Sequence, residues 1–387
     1  MIFELLETNL FASILVGILF ICTVVLCVYY FRFLKIKPNK QPLDLYNQQP
    51  ISVVIATRNQ HDQLRQNLPF FLDQNYANFE IVVVIDESDK ELSYIMSDFE
   101  KRYSNLKIVS FEWSRNFFVS HKFAESVGIK SATYDRILLS NITTRPASPE
   151  WIARMSKTLS GDKKIVIGYH TLASKTSFIN AFIRFDTFLY TLSYLRAAIS
   201  GHSFTANSKN LAFDRSIYYD TKGIARFYNV NTGDENMFVN KATTKTNTAI
   251  EIHPDAIIKD QQKPIFSEWF EKRIRRRVLI KEFKPVNRFG LVIHDLFTAL
   301  FYIISGLIFG CFFLPATSLD IPIDLLIVAG GLFFLKLLIQ WIVFKRTMNL
   351  FKEHGFLLLI PIFDLVKLIL LPILLFTGLF TKRTTWK

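Results

Sequence analysis

Apolar residues gather at the two ends of the chain, while the middle alternates apolar and polar positions. From Phe11 to Phe31 the run FASILVGILFICTVVLCVYYF carries no charge over about 20 residues, the length an α-helix needs to cross roughly 30 Å of hydrocarbon. The run predicts a membrane span. A cleavable signal peptide has a basic start and a small-residue exit, whereas this segment follows Glu4 and Glu7 and ends in Arg32, Lys35, Lys37 and Lys40. Two further apolar runs, Leu291 to Phe313 and Ile321 to Phe344, are joined by PATSLD and predict an out-and-back hairpin. The last apolar stretch, Phe356 to Phe380, contains Pro361, Asp364, Lys367 and Pro372. Those residues are costly in a lipid-facing helix, so a re-entrant or interfacial segment is expected, with the tail TKRTTWK in the cytoplasm.

The middle begins with a linker, PNKQPLDLYNQQP over 38–50, which has no apolar period. ISVVIA and EIVVVI are continuous β-branched runs, the pattern of parallel strands buried on both faces, and DQLRQNLPFFLDQ between them has a helical period. The alternation continues through LKIVSFEW, HKFAESVGIKSA, RILLS, SPEWIARMSKTL and KIVIGY. It predicts an open α/β sheet of about five strands, doubly wound, with ligand at the carboxyl ends of the strands. The stretch from Thr171 to Ile258 is less regular and rich in aromatics, as expected of an acceptor-side region. SEWFEKRIRRRVLIKEF is amphipathic, which predicts Trp269, Phe270, Ile274 and Leu279 in the headgroup layer with the arginines on lipid phosphates. The expected organisation is an anchor at 1–37, the linker, an α/β domain at 51–260, a basic interfacial segment at 261–289, a transmembrane hairpin at 290–345 and a re-entrant or interfacial tail at 346–387.

Charge sharpens this picture. The formal net charge is +13, and the cations crowd at the membrane junctions, above all from Lys272 to Lys284. Anionic lipid headgroups are the partner this placement implies, and no nucleic-acid-binding module is present. Because Lys and Arg are retained on the cytoplasmic side, the domain after the first span is expected in the cytoplasm of a multi-pass inner (plasma) membrane protein with its N-terminus outside. Cys22, Cys27 and Cys311 all lie in the apolar runs, which leaves neither a disulfide framework nor a thiolate metal site for the soluble part.

The residues at the strand ends carry the candidate chemistry: Thr57-Arg58-Asn59, Asp86-Glu87-Ser88, and Ser140-Asn141-Ile142-Thr143. No Gly-x-Gly-x-x-Gly or Walker loop accompanies them, so dinucleotide and ATP folds of those kinds lose support, and no organic cofactor is expected. ISVVIATRN followed by a helix and FEIVVVIDES resembles the opening of the inverting family-2 glycosyltransferases, usually close to SVIIAARNE and then VVVDDGS. The resemblance continues through HKFAESVGIKSA, LLSNITTRPASPEW, KNLAFDRSIYYDTKGI, GDENMF and WFEKRIRRR, over roughly residues 50 to 280 in order.

It implies a GT-A fold, and a transferase that moves a sugar from a nucleotide-diphospho-sugar to a lipid-linked or envelope glycan acceptor, in polysaccharide biosynthesis. By resemblance Thr57, Arg58 and Asp86 contact base and ribose, although an Asp at that place also serves as a helix cap. Lys122 could meet a phosphate as a point charge or be a solvated helix residue. Asp234 aligns with the carboxylate that takes the proton from the attacking hydroxyl, with Glu235 as its neighbour; a polar turn is the other reading. Asn207, Lys209 and Asn210 are expected on the acceptor side, with Arg275 from the basic segment. The family ends its fourth strand in Asp-x-Asp, which binds Mg²⁺ or Mn²⁺, where this chain has Asn141-Ile142-Thr143. Without a carboxylate that metal should bind weakly or not at all, and the arginine-rich segment is the nearest compensating charge. The Gln-x-x-Arg-Trp signature is altered too: Lys272 stands for Gln, Arg275 is kept, and Arg276 stands for Trp. A catalytically inactive binding or scaffold protein descended from such an enzyme is the alternative.

Overall fold

The computed structural model describes residues 2–39, 42–43, 48–112, 121–223, 236–313 and 321–380. The chain forms two compact units: one of residues up to 35 with 285–349 and 354–376, the other built mainly of 36–284 with 350–353.

Helix α1 (Ile2–Phe31) opens the first unit. The second unit begins with strict strand–helix alternation: β1 (Ile51–Ala56), α2 (His61–Leu72), β2 (Phe79–Asp86), α3 (Lys90–Arg102), β3 (Leu106–Phe111), α4 (His121–Ser131) and β4 (Arg136–Ser140). It goes on through β5 (Thr144–Pro146), α5 (Trp151–Thr158), β6 (Ile165–Gly168), β7 (His170–Thr171), α6 (Phe178–Ile199), β8 (Leu211–Asp214), α7 (Arg215–Asp220), α8 (Phe238–Ala242), β9 (Thr248–Glu251), β10 (Ile258–Asp260) and α9 (Phe266–Leu279).

Seven strands form one sheet in the order β3-β2-β1-β4-β8-β6-β9. β1 to β4 are parallel, β8 runs antiparallel between β4 and β6, and β9 is parallel to β6. Every residue of β1 is buried, as two covered faces require of an unbroken β-branched run. On one face Val53, Ile55, Val83 and Leu138 pack with Leu64, Phe71, Met96 and Trp151 from the helices. On the other face α4 comes so close that a Cβ at Gly128 would lie 2.4 Å from Val54 Cγ1, an approach only glycine allows. Ala56 stands opposite Val84, and Ile55 opposite Ser140, so Thr57, Asp86 and Asn141 leave the sheet at one end. The strand order reverses between β1 and β4, the switch point at which open α/β sheets form their ligand crevice. A smaller sheet, β5-β10-β7, continues from there, with Asp260 opposite Thr144.

The sheet is wider than the sequence pattern predicts because β8 and β9 lie in the stretch that reads as irregular. Each is four residues long, too short for a periodicity to register.

The first unit is completed by α10 (Pro285–Phe313), α11 (Ile323–Phe351) and α12 (Ile360–Phe380). Among the described residues four helices are long and apolar enough to cross a membrane: Leu10–Lys35, Pro285–Cys311, Ile323–Phe351 and Leu357–Thr377. Where the sequence favours a re-entrant or interfacial segment, the structure has an unbroken helix. Pro361 sits in its first turn, where the missing N–H goes unused, although Pro372 lies inside. Phe20, Ile21, Ile327, Phe334 and Ile369 are exposed, the outward pattern of lipid-facing helices. Asp364 points inward. Its Oδ2 accepts from Lys336 Nζ (3.0 Å), Gln340 Nε2 (2.9 Å) and Tyr302 Oη (3.3 Å), and Gln340 Nε2 also donates to Tyr30 Oη (3.1 Å). One buried polar cluster therefore ties α1, α10, α11 and α12.

Candidate active site

The crevice is built from the turns after β1, β2 and β4. Thr57 is buried, its N–H donating to Val84 O (3.0 Å) and its hydroxyl to Gln60 Oε1 (3.2 Å). Asn59 holds φ 54°, a left-handed conformation that Asn adopts more readily than most residues. Asp86 is buried at the end of β2. Its Oδ1 accepts from Ser88 N (3.1 Å) and Ser88 Oγ (2.8 Å), and its Oδ2 stands 3.5 Å from Arg58 Nε. The carboxylate thus caps its own turn and also pairs with a half-exposed guanidinium at the crevice mouth. In the turn after β4, Asn141 Oδ1 accepts from Thr143 N (2.9 Å), and Asn67 Nδ2 donates to Ile142 O (2.6 Å).

Beside Thr143 the structure brings together residues distant in sequence. Lys209 Nζ donates to Thr143 Oγ1 (3.3 Å) and forms an ion pair with Asp260. Its backbone is held at both ends, the N–H donating to Asn207 Oδ1 (2.9 Å) and the carbonyl accepting from Ser140 Oγ (3.1 Å). Lys209 and Asp260 line a cleft together with Asn207, Lys272, Arg275 and Arg276. The three positions of the altered Gln-x-x-Arg-Trp signature therefore face the same space as Lys209.

The helix that carries them departs from the sequence expectation. Trp269, Ile274 and Leu279, expected in the headgroup layer, are buried inside the protein. Trp269 Nε1 donates to Asp186 Oδ2 (2.9 Å) and its ring meets Phe182 edge-on at 5.1 Å, so the apolar face of α9 packs on α6. The physical reason is that an amphipathic helix buries its apolar stripe wherever a partner is at hand, and α6 supplies one with a hydrogen-bond acceptor for the indole.

Lys122 is 5 % exposed, which removes the solvated-helix reading; its Nζ donates to Glu125 Oε2 (2.9 Å) and to Ser208 Oγ. Ser208 also accepts from Asn236 Nδ2 (2.7 Å), so the residue following Asp234-Glu235 is anchored beside this pair. Asp234 and Glu235 themselves lie outside the described residues. Asn210 sits in the core: its Nδ2 donates to Tyr169 O and Ala256 O (2.8 Å each) and its Oδ1 accepts from Trp151 Nε1 (3.1 Å). Gly168 makes room for that amide, since a Cβ there would fall 2.4 Å from Asn210 Cγ. Asp260 and Glu125 have no counterpart in the sequence reading. Each is a lone carboxylate in an unremarkable segment, and only its partner gives it meaning.

Among the described residues no group of three or more His, Cys, Asp or Glu could hold a metal ion. At the end of β4 the available oxygens are neutral, and the amide oxygen of Asn141 is already taken by Thr143 N. A divalent cation placed there would have to compete with the Lys209 ammonium, which already holds the neighbouring Asp260 carboxylate, so these residues as they stand do not fit Mg²⁺ or Mn²⁺.

The family model described as Glycosyl transferase family 21 matches residues 11–387. No curated protein sequence matches the chain. Among solved structures, the mannosyltransferase PcManGT from Pyrobaculum calidifontis, in complex with GDP-Man and Mn²⁺, superposes with a TM-score of 0.56 at 15% identity, covering 90% of this chain and all (100%) of that one. TarS 1–349 of S. aureus in complex with UDP-GlcNAc gives a TM-score of 0.42 at 12% identity, over 78% of this chain and 88% of that one. The fold is that of a GT-A-like glycosyltransferase, with a parallel-rich sheet and apolar helices at both ends of the chain. A match over almost the whole length settles the family: the chain belongs to glycosyl transferase family 21.

Proposed function

We propose that the protein is a membrane-bound, inverting glycosyltransferase that moves a sugar from a nucleotide-diphospho-sugar to a lipid-linked or envelope glycan acceptor, with its α/β unit in the cytoplasm. The observation that carries the donor site is the buried Asp86 carboxylate beside Arg58 at the crevice where the strand order reverses. There Thr57, Arg58 and Asp86 recognise the nucleoside. Asn141 and Thr143 face the sugar phosphate, and Lys122, bonded to Ser208, supplies a further positive charge to the donor side. PcManGT and TarS have been seen with GDP-Man and UDP-GlcNAc, and a nucleotide-linked sugar of that kind is the donor class.

The reaction is a single displacement. Asp234, with Glu235 beside it, takes the proton from the acceptor hydroxyl as its oxygen attacks the anomeric carbon. The bond from that carbon to the diphosphate oxygen breaks, and its electron pair leaves with the nucleoside diphosphate. Asn207 and Arg275 line the acceptor and phosphate side of the cleft, and Asn210 positions the strand beneath it.

Transfer from radiolabelled GDP- and UDP-sugars into the lipid fraction of membranes tests this reading. Asp234→Asn should reduce transfer by at least about 10³-fold while nucleotide still raises the melting temperature. Transfer unchanged in that variant removes Asp234 as the base. A wild-type protein that is folded and responds to no nucleotide sugar supports the binding or scaffold reading, which the carboxylate-free Asn141-Ile142-Thr143 favours.

A further inference from the structure

We infer that Lys209, clamped by Asp260, takes the place of a divalent metal ion in this cleft and, with Lys272 and Arg275, holds the diphosphate of the donor. The inference rests on the donor reading above and adds what neutralises the leaving group.

Three observations support it. The first is position. Thr143 stands where the resembling enzymes carry a metal-binding carboxylate, and Lys209 Nζ lies 3.3 Å from its hydroxyl oxygen. The second is preorganisation. A lysine on a surface is a flexible point charge, whereas this one is 7 % exposed, paired with Asp260 and tied at its backbone N–H and carbonyl to Asn207 and Ser140. A fixed cation costs no reorganisation as charge develops on the departing diphosphate oxygen. The third is the charge of the space it faces. Lys209, Lys263, Lys272, Arg275 and Arg276 line the cleft against Asp260 and Glu268, so positive charge remains after Asp260 has neutralised its partner. A lining of that kind draws in an anion and repels a second cation.

Asp260 has a positioning role. Its carboxylate holds the Lys209 ammonium in place beside Thr143. As the carbon–oxygen bond of the donor breaks, its electron pair passes to the diphosphate, which accepts N–H from Lys209, Lys272 and Arg275. The acceptor's proton goes to the base.

The test is binding to the full-length protein in detergent, read by thermal shift and calorimetry, with GDP, UDP and inorganic pyrophosphate, each in EDTA and in Mn²⁺. Wild type should bind a nucleoside diphosphate equally well in both, with affinity falling as salt rises. Lys209→Met should weaken binding in EDTA by about tenfold or more, and Lys209→Arg should recover most of the loss. Binding that vanishes in EDTA and returns with Mn²⁺ overturns the inference while sparing the donor reading. Pyrophosphate binding that depends on Lys209, without discrimination for a nucleoside, upholds the diphosphate site and counts against the donor reading. No binding of any of the three overturns both. If Lys209→Met fails to fold, the wild-type comparison of EDTA with Mn²⁺ decides alone.

Discussion

At the scale of single residues, the site shows side chains held for more than one purpose. Asp86 caps its own turn through Ser88 and still presents Oδ2 to Arg58. Asp86→Asn keeps the size of the group but loses the charge that Arg58 meets, so nucleotide should stabilise the variant far less than wild type while its unliganded melting temperature changes little; a thermal shift with GDP and UDP checks this. Asn210 is the opposite case, since its amide is spent inside the protein. Asn210→Ala leaves the Trp151 indole and the Tyr169 and Ala256 carbonyls without their partner, and should cost about 3 kcal/mol in a denaturant titration. The places of Asp86 and Asn210 in the motifs were legible in the sequence. Their different roles were not, because a strand-end carboxylate and a core amide look alike until the neighbouring backbone is in view.

At the scale of elements, helix ends and faces decide what the α/β unit can hold in place. Asp89 caps α3, its side chain accepting from Leu92 N (3.0 Å) and lying 2.7 Å from His61 Nε2. Burial works against its charge, but the Leu92 amide and His61 outweigh that and hold its carboxyl below the usual carboxylate range. A depressed value means the folded state gives up this proton more easily than the unfolded chain does. The stability it contributes is therefore present above the ordinary carboxylate pKa and lost as pH falls through the folded value. Asp89→Ala should cost about 1 kcal/mol near neutral pH, and the difference from wild type should shrink on acidification. The helix α9 teaches a related point. Its amphipathic period was plain in the sequence, but periodicity reports that a face is buried and not what buries it. The partner turned out to be α6, through Trp269 and Asp186, and that packing sends Lys272, Arg275 and Arg276 into the cleft.

At the scale of the whole molecule, four helices suited to a bilayer share a buried polar cluster. Removing one partner, as in Lys336→Met, leaves the Asp364 carboxylate uncompensated and should destabilise by about 3 kcal/mol, whereas Lys336→Met with Asp364→Leu should be much milder; detergent-solubilised melting of the three proteins checks this. If all four of these helices cross, the outer ends of the first and last lie on one side of the membrane. A cysteine introduced in the C-terminal tail should then be labelled from the same side as one placed before Leu10, while labelling from opposite sides would return α12 to an interfacial arrangement. Sequence alone determined the apolar ends, the strand–helix alternation and the positions of Thr57, Asp86 and Asn141 at strand ends, because these follow from local periodicity and from residues adjacent in the chain. It also put Asn141-Ile142-Thr143, which has no carboxylate, after β4. Only the tertiary structure decided which side chain reaches Thr143 and what faces inward among the long apolar helices. Lys209 meets Asp260 across 51 positions of the chain, and Lys336 meets Asp364 across 28. Such pairs leave no periodic trace, since the energy that holds two opposite charges together depends on their separation in space and on the water excluded around them.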